Sequence, residues 1–228
     1  MTTIIAPLTG DLVPSLLVKD PVSEKIRVNR DSLRSRDDKS KTTTNIPVLT
    51  GDSADNLLDA GPESEKIQGK RGNDTLRGGK GDDTLRGGAG NDKLLAGRGN
   101  DLVIGGAGDD FLTGGDGDDI IQGGIGIDTL RGGAGNDLFK VTAAEINGVD
   151  FNAAVAAFFS GATQQALKSI DIYQDFVSGE DKLTFAGVSA RKVNFVEVGD
   201  RVTIFDLNGD GLFDYGAKIS GLTAGDIV

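Results

Sequence analysis

Gly78-Gly79-Lys80-Gly81-Asp82-Asp83-Thr84-Leu85-Arg86 is followed at once by Gly87-Gly88-Ala89-Gly90-Asn91-Asp92-Lys93-Leu94-Leu95. The two nonapeptides align at three glycines, at a sixth-position aspartate and at an eighth-position leucine. Further units begin at Ala96, Gly105, Gly114, Gly123 and Gly132, and an earlier one at Gly69, where Lys70 replaces the second glycine. Position eight is apolar in each: Leu76, Leu85, Leu94, Val103, Leu112, Ile121, Leu130 and Phe139, with Leu58 and Ile67 holding the register in two degenerate units upstream. An apolar residue recurring every nine positions marks a structural repeat. Position six is aspartate in all eight clear units, Asp74, Asp83, Asp92, Asp101, Asp110, Asp119, Asp128 and Asp137; the two degenerate units carry Asn56 and Glu65.

Composition agrees with a repeated tight-turn architecture. Of 35 glycines, 24 lie between Gly51 and Lys140, without the proline of collagen. The formal net charge is −11, and the same segment holds 17 acidic against 10 basic residues. Such a surface attracts cations and disfavours nucleic acid. With no cysteine and no histidine, disulfides, the usual zinc sites and Ser-His or Cys-His nucleophile pairs are excluded. Met1–Leu17 lacks the basic start and unbroken apolar run of a cleaved secretory signal, and no apolar stretch is long enough to predict a membrane span.

Three regions follow. Residues 1–48 are polar and mixed in charge and read as a disordered leader, with docking onto the rest as the alternative. Residues 51–140 are the repeat block, and 141–228 form a cap. In the cap, Asp150–Phe159 is alanine-rich and predicts a short helix, while Val193–Val198 and Arg201–Phe205 predict strands.

The pattern G-G-x-G-x-D-x-U-x, with U apolar, resembles the repeats-in-toxin (RTX, hemolysin-type) calcium-binding nonapeptides across 51–140. Asp171-Ile172-Tyr173-Gln174-Asp175-Phe176, Gly179-Glu180-Asp181-Lys182-Leu183 and Asp226-Ile227-Val228 resemble a serralysin-type C-terminal region. The resemblance implies an all-β fold, a right-handed parallel β-roll of two sheets with two nonapeptides in each turn and a β-rich cap. Each unit would be a six-residue turn and a three-residue strand, with only position eight pointing inward. The aspartates then stack in two columns, 74-92-110-128 and 83-101-119-137. Neighbours about 4.8 Å apart repel by about 1 kcal/mol in water and about 3.5 kcal/mol at an effective dielectric of 20. A calcium ion, with oxygens at about 2.4 Å, fits between two such carboxylates. The alternative role for these aspartates is turn formation by side-chain capping.

The resemblance also implies a backbone shell. Carbonyls of positions two and four in one loop (Gly72, Gly79, Gly81, Gly88, Gly90, Gly97, Gly99, Gly106, Gly108, Gly115, Gly117) would join those of positions one and three in the loop two units further on. The latter are Gly87, Ala89, Ala96, Arg98, Gly105, Ala107, Gly114, Asp116, Gly123, Ile125, Gly132 and Ala134. Pairing the eight clear loops gives about six sites for Ca2+. Asp206, Asn208, Asp210 and Asp214 resemble the start of an EF-hand loop, although Ala217 stands where its glutamate belongs; the alternative is a plain hairpin turn.

The resemblance thus implies a secreted, extracellular, non-enzymatic calcium-binding protein exported by type I secretion machinery. A surface adhesin or surface-layer component, or the non-catalytic remnant of a serralysin-like protease, are the alternatives. Outward position seven stacks Leu102, Ile120 and Leu138, an apolar stripe that the leader, the 150–159 segment, self-association or a cell surface is expected to cover.

Overall fold

Side chains alternate across a strand, so an inward residue every nine positions requires the chain to turn once per unit and return on the opposite wall. The computed structural model, which describes residues 17–19, 26–28, 48–142, 171–187, 193–198, 202–207 and 215–228, has this form. Eighteen strands are described: β1 (Leu17–Lys19), β2 (Ile26–Val28), β3 (Val48–Thr50), β4 (Leu57–Asp59), β5 (Lys66–Arg71), β6 (Thr75–Lys80), β7 (Thr84–Ala89), β8 (Lys93–Arg98), β9 (Leu102–Ala107), β10 (Phe111–Asp116), β11 (Ile120–Ile125), β12 (Thr129–Ala134), β13 (Leu138–Val141), β14 (Asp171–Tyr173), β15 (Lys182–Phe185), β16 (Asn194–Val198), β17 (Val202–Asp206) and β18 (Tyr215–Lys218). From β3 to β15 successive strands alternate between two sheets, ordered β1-β2-β4-β6-β8-β10-β12-β14-β18-β17-β16 and β15-β13-β11-β9-β7-β5-β3. Within the repeat block every pairing is parallel with partners two nonapeptides apart, as in Leu112↔Leu94 and Ile121↔Val103. The protein is an all-β, two-sheet parallel roll.

The core is a single file of side chains from each wall. Leu58, Ile67, Leu76, Leu85, Leu94, Val103, Leu112, Ile121, Leu130 and Phe139 are all 2% exposed or less. Each contributes about 1.5–3 kcal/mol by leaving water.

Two features depart from the expected unit. Strands run six residues, not three, because ladder pairing continues through the glycine positions, as in Gly79↔Gly97 and Lys80↔Arg98. Position one is buried along with position eight, since it lies two residues further along the same strand face. Glycine at position one leaves room for the sixth-position aspartate to fold in over it.

The roll does not stop at Lys140. After residues 143–170, β14 pairs with β12 and β15 with β13, in register Leu130↔Tyr173 and Phe139↔Leu183. Asp171-Ile172-Tyr173 and Asp181-Lys182-Leu183 thus repeat positions six, seven and eight. Here the file becomes aromatic: Phe139 meets Tyr173 edge-on at 5.1 Å, and Phe185, Phe205 and Tyr215 cluster with centroids 5.0–5.8 Å apart. The antiparallel meander β16-β17-β18 closes this end. The strands expected over 193–198 and 201–205 are β16 and β17.

At the other end, β1 and β2 pair antiparallel, and β2 lies parallel to β4. Both come from the segment expected to be a disordered leader. The helix expected over 150–159 lies outside the described residues. Leu102, Ile120 and Leu138 do stack on the outer face, half-buried.

Candidate metal centre

The sixth-position aspartates lie at the end of each turn, and all eight are 3% exposed or less. One oxygen of each reaches back a full turn to a main-chain amide. The N–H of Asp74 donates to Asp92 Oδ1 at 2.7 Å, that of Asp83 to Asp101 Oδ1 at 2.7 Å, and that of Asp92 to Asp110 Oδ1 at 2.8 Å. The N–H groups of Asp101, Asp110 and Asp119 donate likewise to Asp119, Asp128 and Asp137. The aspartates therefore do cap backbone, but one full turn away, stapling turn to turn.

The second oxygen is different. Oδ2 of Asp74, Asp83, Asp92, Asp101, Asp110, Asp119 and Asp137 is buried without a hydrogen-bond partner. A buried unpartnered carboxylate oxygen is costly, and seven in register mark a designed feature. The space each faces is narrow. A methyl placed on Gly69 would strike Asp74 Oδ2 and, at 2.7 Å, the carbonyl of Gly87 in the next turn. The same holds at Gly78 for Asp83 and Ala96, at Gly87 for Asp92 and Gly105, at Gly105 for Asp110 and Gly123, and at Gly114 for Asp119 and Gly132. Open oxygen and position-one carbonyl thus converge on one small space between turns.

Other carbonyls also point from turn to turn. Those of Gly79, Gly81, Gly88, Gly90, Gly97, Gly99, Gly106, Gly108, Gly115 and Gly117 point at the matching glycine of the next turn, as does that of Gly72 toward Gly90. Position-three carbonyls of Ala89, Ala107, Asp116, Ile125 and Ala134 point back, each accepting a position-four N–H. Among the described residues no three carboxylates meet closely enough to chelate a metal by side chains alone, so any cation here takes backbone oxygens too. A hard cation of calcium's size fits this all-oxygen donor set, and magnesium, which demands near-ideal octahedra, fits it less well.

The electrostatics match. Burial pushes Asp83, Asp110 and Asp119 up to about 7 and Asp74, Asp101 and Asp137 up to about 6, against 3.8 for the free group. The staple from the preceding amide opposes the rise. Neighbouring acids add to it: Glu65 on Asp83, Asp92 on Asp110, and Asp101 and Asp137 on Asp119.

A second ladder escaped the sequence reading. Position-five side chains accept the position-five N–H of the following turn, running opposite to the aspartate staples. Examples are Asn91 N–H to Asn73 Oδ1 at 2.8 Å and Asn100 N–H to Asp82 Oδ1 at 2.8 Å. The signal was present, because position five is almost always Asn or Asp. The candidate at 206–214 falls in the β17–β18 hairpin connection, with Phe205 paired to Tyr215. Asn208, Asp210 and Asp214 lie outside the described residues.

Residues 59–140 match the RTX calcium-binding nonapeptide repeat in four overlapping copies, 59–94, 87–121, 95–130 and 113–140. No curated protein matches the chain. Among solved structures, one similar chain is the AlgE6R3 subunit of the Azotobacter vinelandii mannuronan C5-epimerase, 21% identical, over 82% of this chain and 84% of that one, with a TM-score of 0.32. Another is the extracellular lipase LipA of Serratia marcescens, 13% identical over 90% of this chain, with a TM-score of 0.26. This chain spans only 42% of that lipase.

Proposed function

From the premise that residues 59–140 are RTX calcium-binding nonapeptide repeats, we propose that the chain is a secreted, non-enzymatic protein whose roll folds as calcium fills the gaps between its turns. The observation that carries this reading is the row of buried, unpartnered Oδ2 atoms, five of which, on Asp74, Asp83, Asp92, Asp110 and Asp119, lie beside a carbonyl of the next turn. Calcium supplies positive charge and a flexible oxygen-rich coordination sphere. In each gap the chain supplies the aspartates of two adjacent turns, the carbonyls at positions two and four of the first and those at positions one and three of the second. Asp74, Asp92, Asp110 and Asp128 enclose three gaps, and Asp83, Asp101, Asp119 and Asp137 three more, hence about six ions. Because each ion needs two adjacent turns, binding and folding are one cooperative process.

Export follows from the same logic: a chain held unfolded until it meets calcium can be threaded through a transporter and fold outside. Residues 171–228, by their resemblance to a serralysin-type region, carry the type I secretion signal. The half-buried stripe of Leu102, Ile120 and Leu138 favours, as a second reading, attachment to a cell surface or to another copy.

Equilibrium dialysis of the full chain tests the binding half, with about six calcium ions expected per chain and little magnesium uptake; uptake of neither ion overturns it. Fusing residues 171–228 to a carrier that otherwise stays inside cells tests the export half. Carrier appears in the medium when a type I transporter is present, and complete retention overturns that half alone.

A further inference from the structure

The first aspartate column ends on a residue that is not followed by another nonapeptide. Asp171 keeps the inner geometry on one side, its Oδ1 accepting the Asp128 N–H at 2.9 Å. Its Oδ2 is the counterpart of the oxygens that lack a partner in Asp74, Asp92 and Asp110. Here, however, that oxygen accepts the Tyr215 hydroxyl at 2.8 Å. Tyr215 is held in turn by Tyr173, their hydroxyl oxygens 3.0 Å apart. Since the single Tyr215 proton goes to Asp171, Tyr173 is the donor in that pair. Both rings are buried, and the strand beside Asp171 is β18, paired Asp171↔Ala217.

We propose that Tyr215 is the surrogate for the next ion: its hydroxyl supplies to Asp171 the positive partner that calcium supplies to the inner aspartates, ending the column and clasping the β16-β17-β18 meander onto the last turn. This rests on the calcium reading of the inner gaps. The second column closes by an analogous device, with Asp181 Oδ1 accepting the Asp137 N–H at 3.0 Å and Oδ2 accepting the Val177 N–H of its own loop at 2.8 Å. At the head of the first column stands a neutral Asn56, whose Oδ1 likewise caps the N–H of Asp52 in its own loop at 2.8 Å. At the cap end both columns are thus shut with hydrogen bonds where they would otherwise present an uncompensated carboxylate.

The test is a double-substitution cycle in the full chain with Y215F and D171N, read as the calcium concentration at the folding midpoint. Y215F keeps the ring and removes the hydroxyl, stranding a buried carboxylate oxygen and, at smaller cost, the Tyr173 O–H. It raises the midpoint about threefold while leaving the number of bound ions unchanged. In the D171N background, where no charge needs a partner, Y215F shifts the midpoint by less than half as much. A structural role for the tyrosine alone would cost the same in both backgrounds, and an equal shift overturns the proposal, as does loss of a bound ion in Y215F. If the wild-type fold proves indifferent to calcium, the underlying calcium reading fails and the surrogate role with it. If D171N does not fold, a structure of the calcium-loaded wild type decides. The Tyr215 hydroxyl is found on Asp171 Oδ2, whereas an ion there overturns the proposal.

Discussion

Asp110→Asn separates the two duties of an inner aspartate. Asparagine keeps the oxygen that accepts the Asp92 N–H, at 2.8 Å in the native roll, and keeps the volume. What it removes is the charge on an oxygen that lies buried against Gly105 and faces the Gly123 carbonyl. Asp110 borders two gaps, toward Asp92 and toward Asp128. Leaving a buried charge without its partner costs about 3–5 kcal/mol, so two gaps together lose about 8 kcal/mol. Spread over about six ions entering in one transition, at about 1.4 kcal/mol per tenfold in each, this raises the midpoint calcium concentration about tenfold. Asp137→Asn borders one gap in the series and raises it about threefold. The assay is far-ultraviolet circular dichroism of the full chain during calcium titration, with matched samples in chelator. In chelator Asp110→Asn is no less stable than wild type, because a carboxyl pushed up to about 7 by burial has been neutralised. A midpoint unchanged by Asp110→Asn, or shifted no more than by Asp137→Asn, would refute the reasoning.

Three further outcomes are expected. Without calcium, each raised aspartate adds stability that is complete below about pH 4 and is lost as pH rises through 6 to 7; far-ultraviolet circular dichroism in chelator should show more β signal at about pH 5 than at about pH 8. With calcium the trend reverses, since ions compete with protons for the same oxygens, so the calcium midpoint rises as pH falls over that range. Lys70, the one described non-glycine residue with positive φ, at 90°, sits where the repeat elsewhere has glycine, so Lys70→Gly should stabilise the loaded protein by about 1 kcal/mol in thermal melts. Burial raises Asp226, but the Ser178 hydroxyl and the Gly179 and Thr223 amides outweigh it and hold the carboxyl well below its usual range. Asp226→Ala should therefore cost about 3 kcal/mol and speed hydrogen exchange at Val228, whose N–H donates to Leu183 at 3.0 Å.

The fold was legible because one residue in nine repeats its chemistry. Leu76 to Phe139 gave the inward file, and Asp74 to Asp137 gave the two columns. The staples were not legible, because a carboxylate's two oxygens are equivalent in a sequence and only the stacked turns assign one to an amide and the other to a gap. The final turn was hidden by distance. Asp171 and Asp181 follow Asp128 and Asp137 by 43 and 44 residues rather than the 18 of the inner turns, so a period of nine cannot find them, though Asp-Ile-Tyr and Asp-Lys-Leu carry the right types. The strands β1 and β2 have three residues each, too few to show an alternation, and take their place by pairing onto an edge that β4 already offers.

The central claim is that calcium is part of the fold. The full chain in excess chelator, followed by far-ultraviolet circular dichroism while calcium is raised to the millimolar range, tests it most directly. The account predicts a largely unstructured spectrum that converts to β in one cooperative step and does not convert when magnesium replaces calcium. A complete β spectrum in chelator, unchanged on adding calcium, would contradict it.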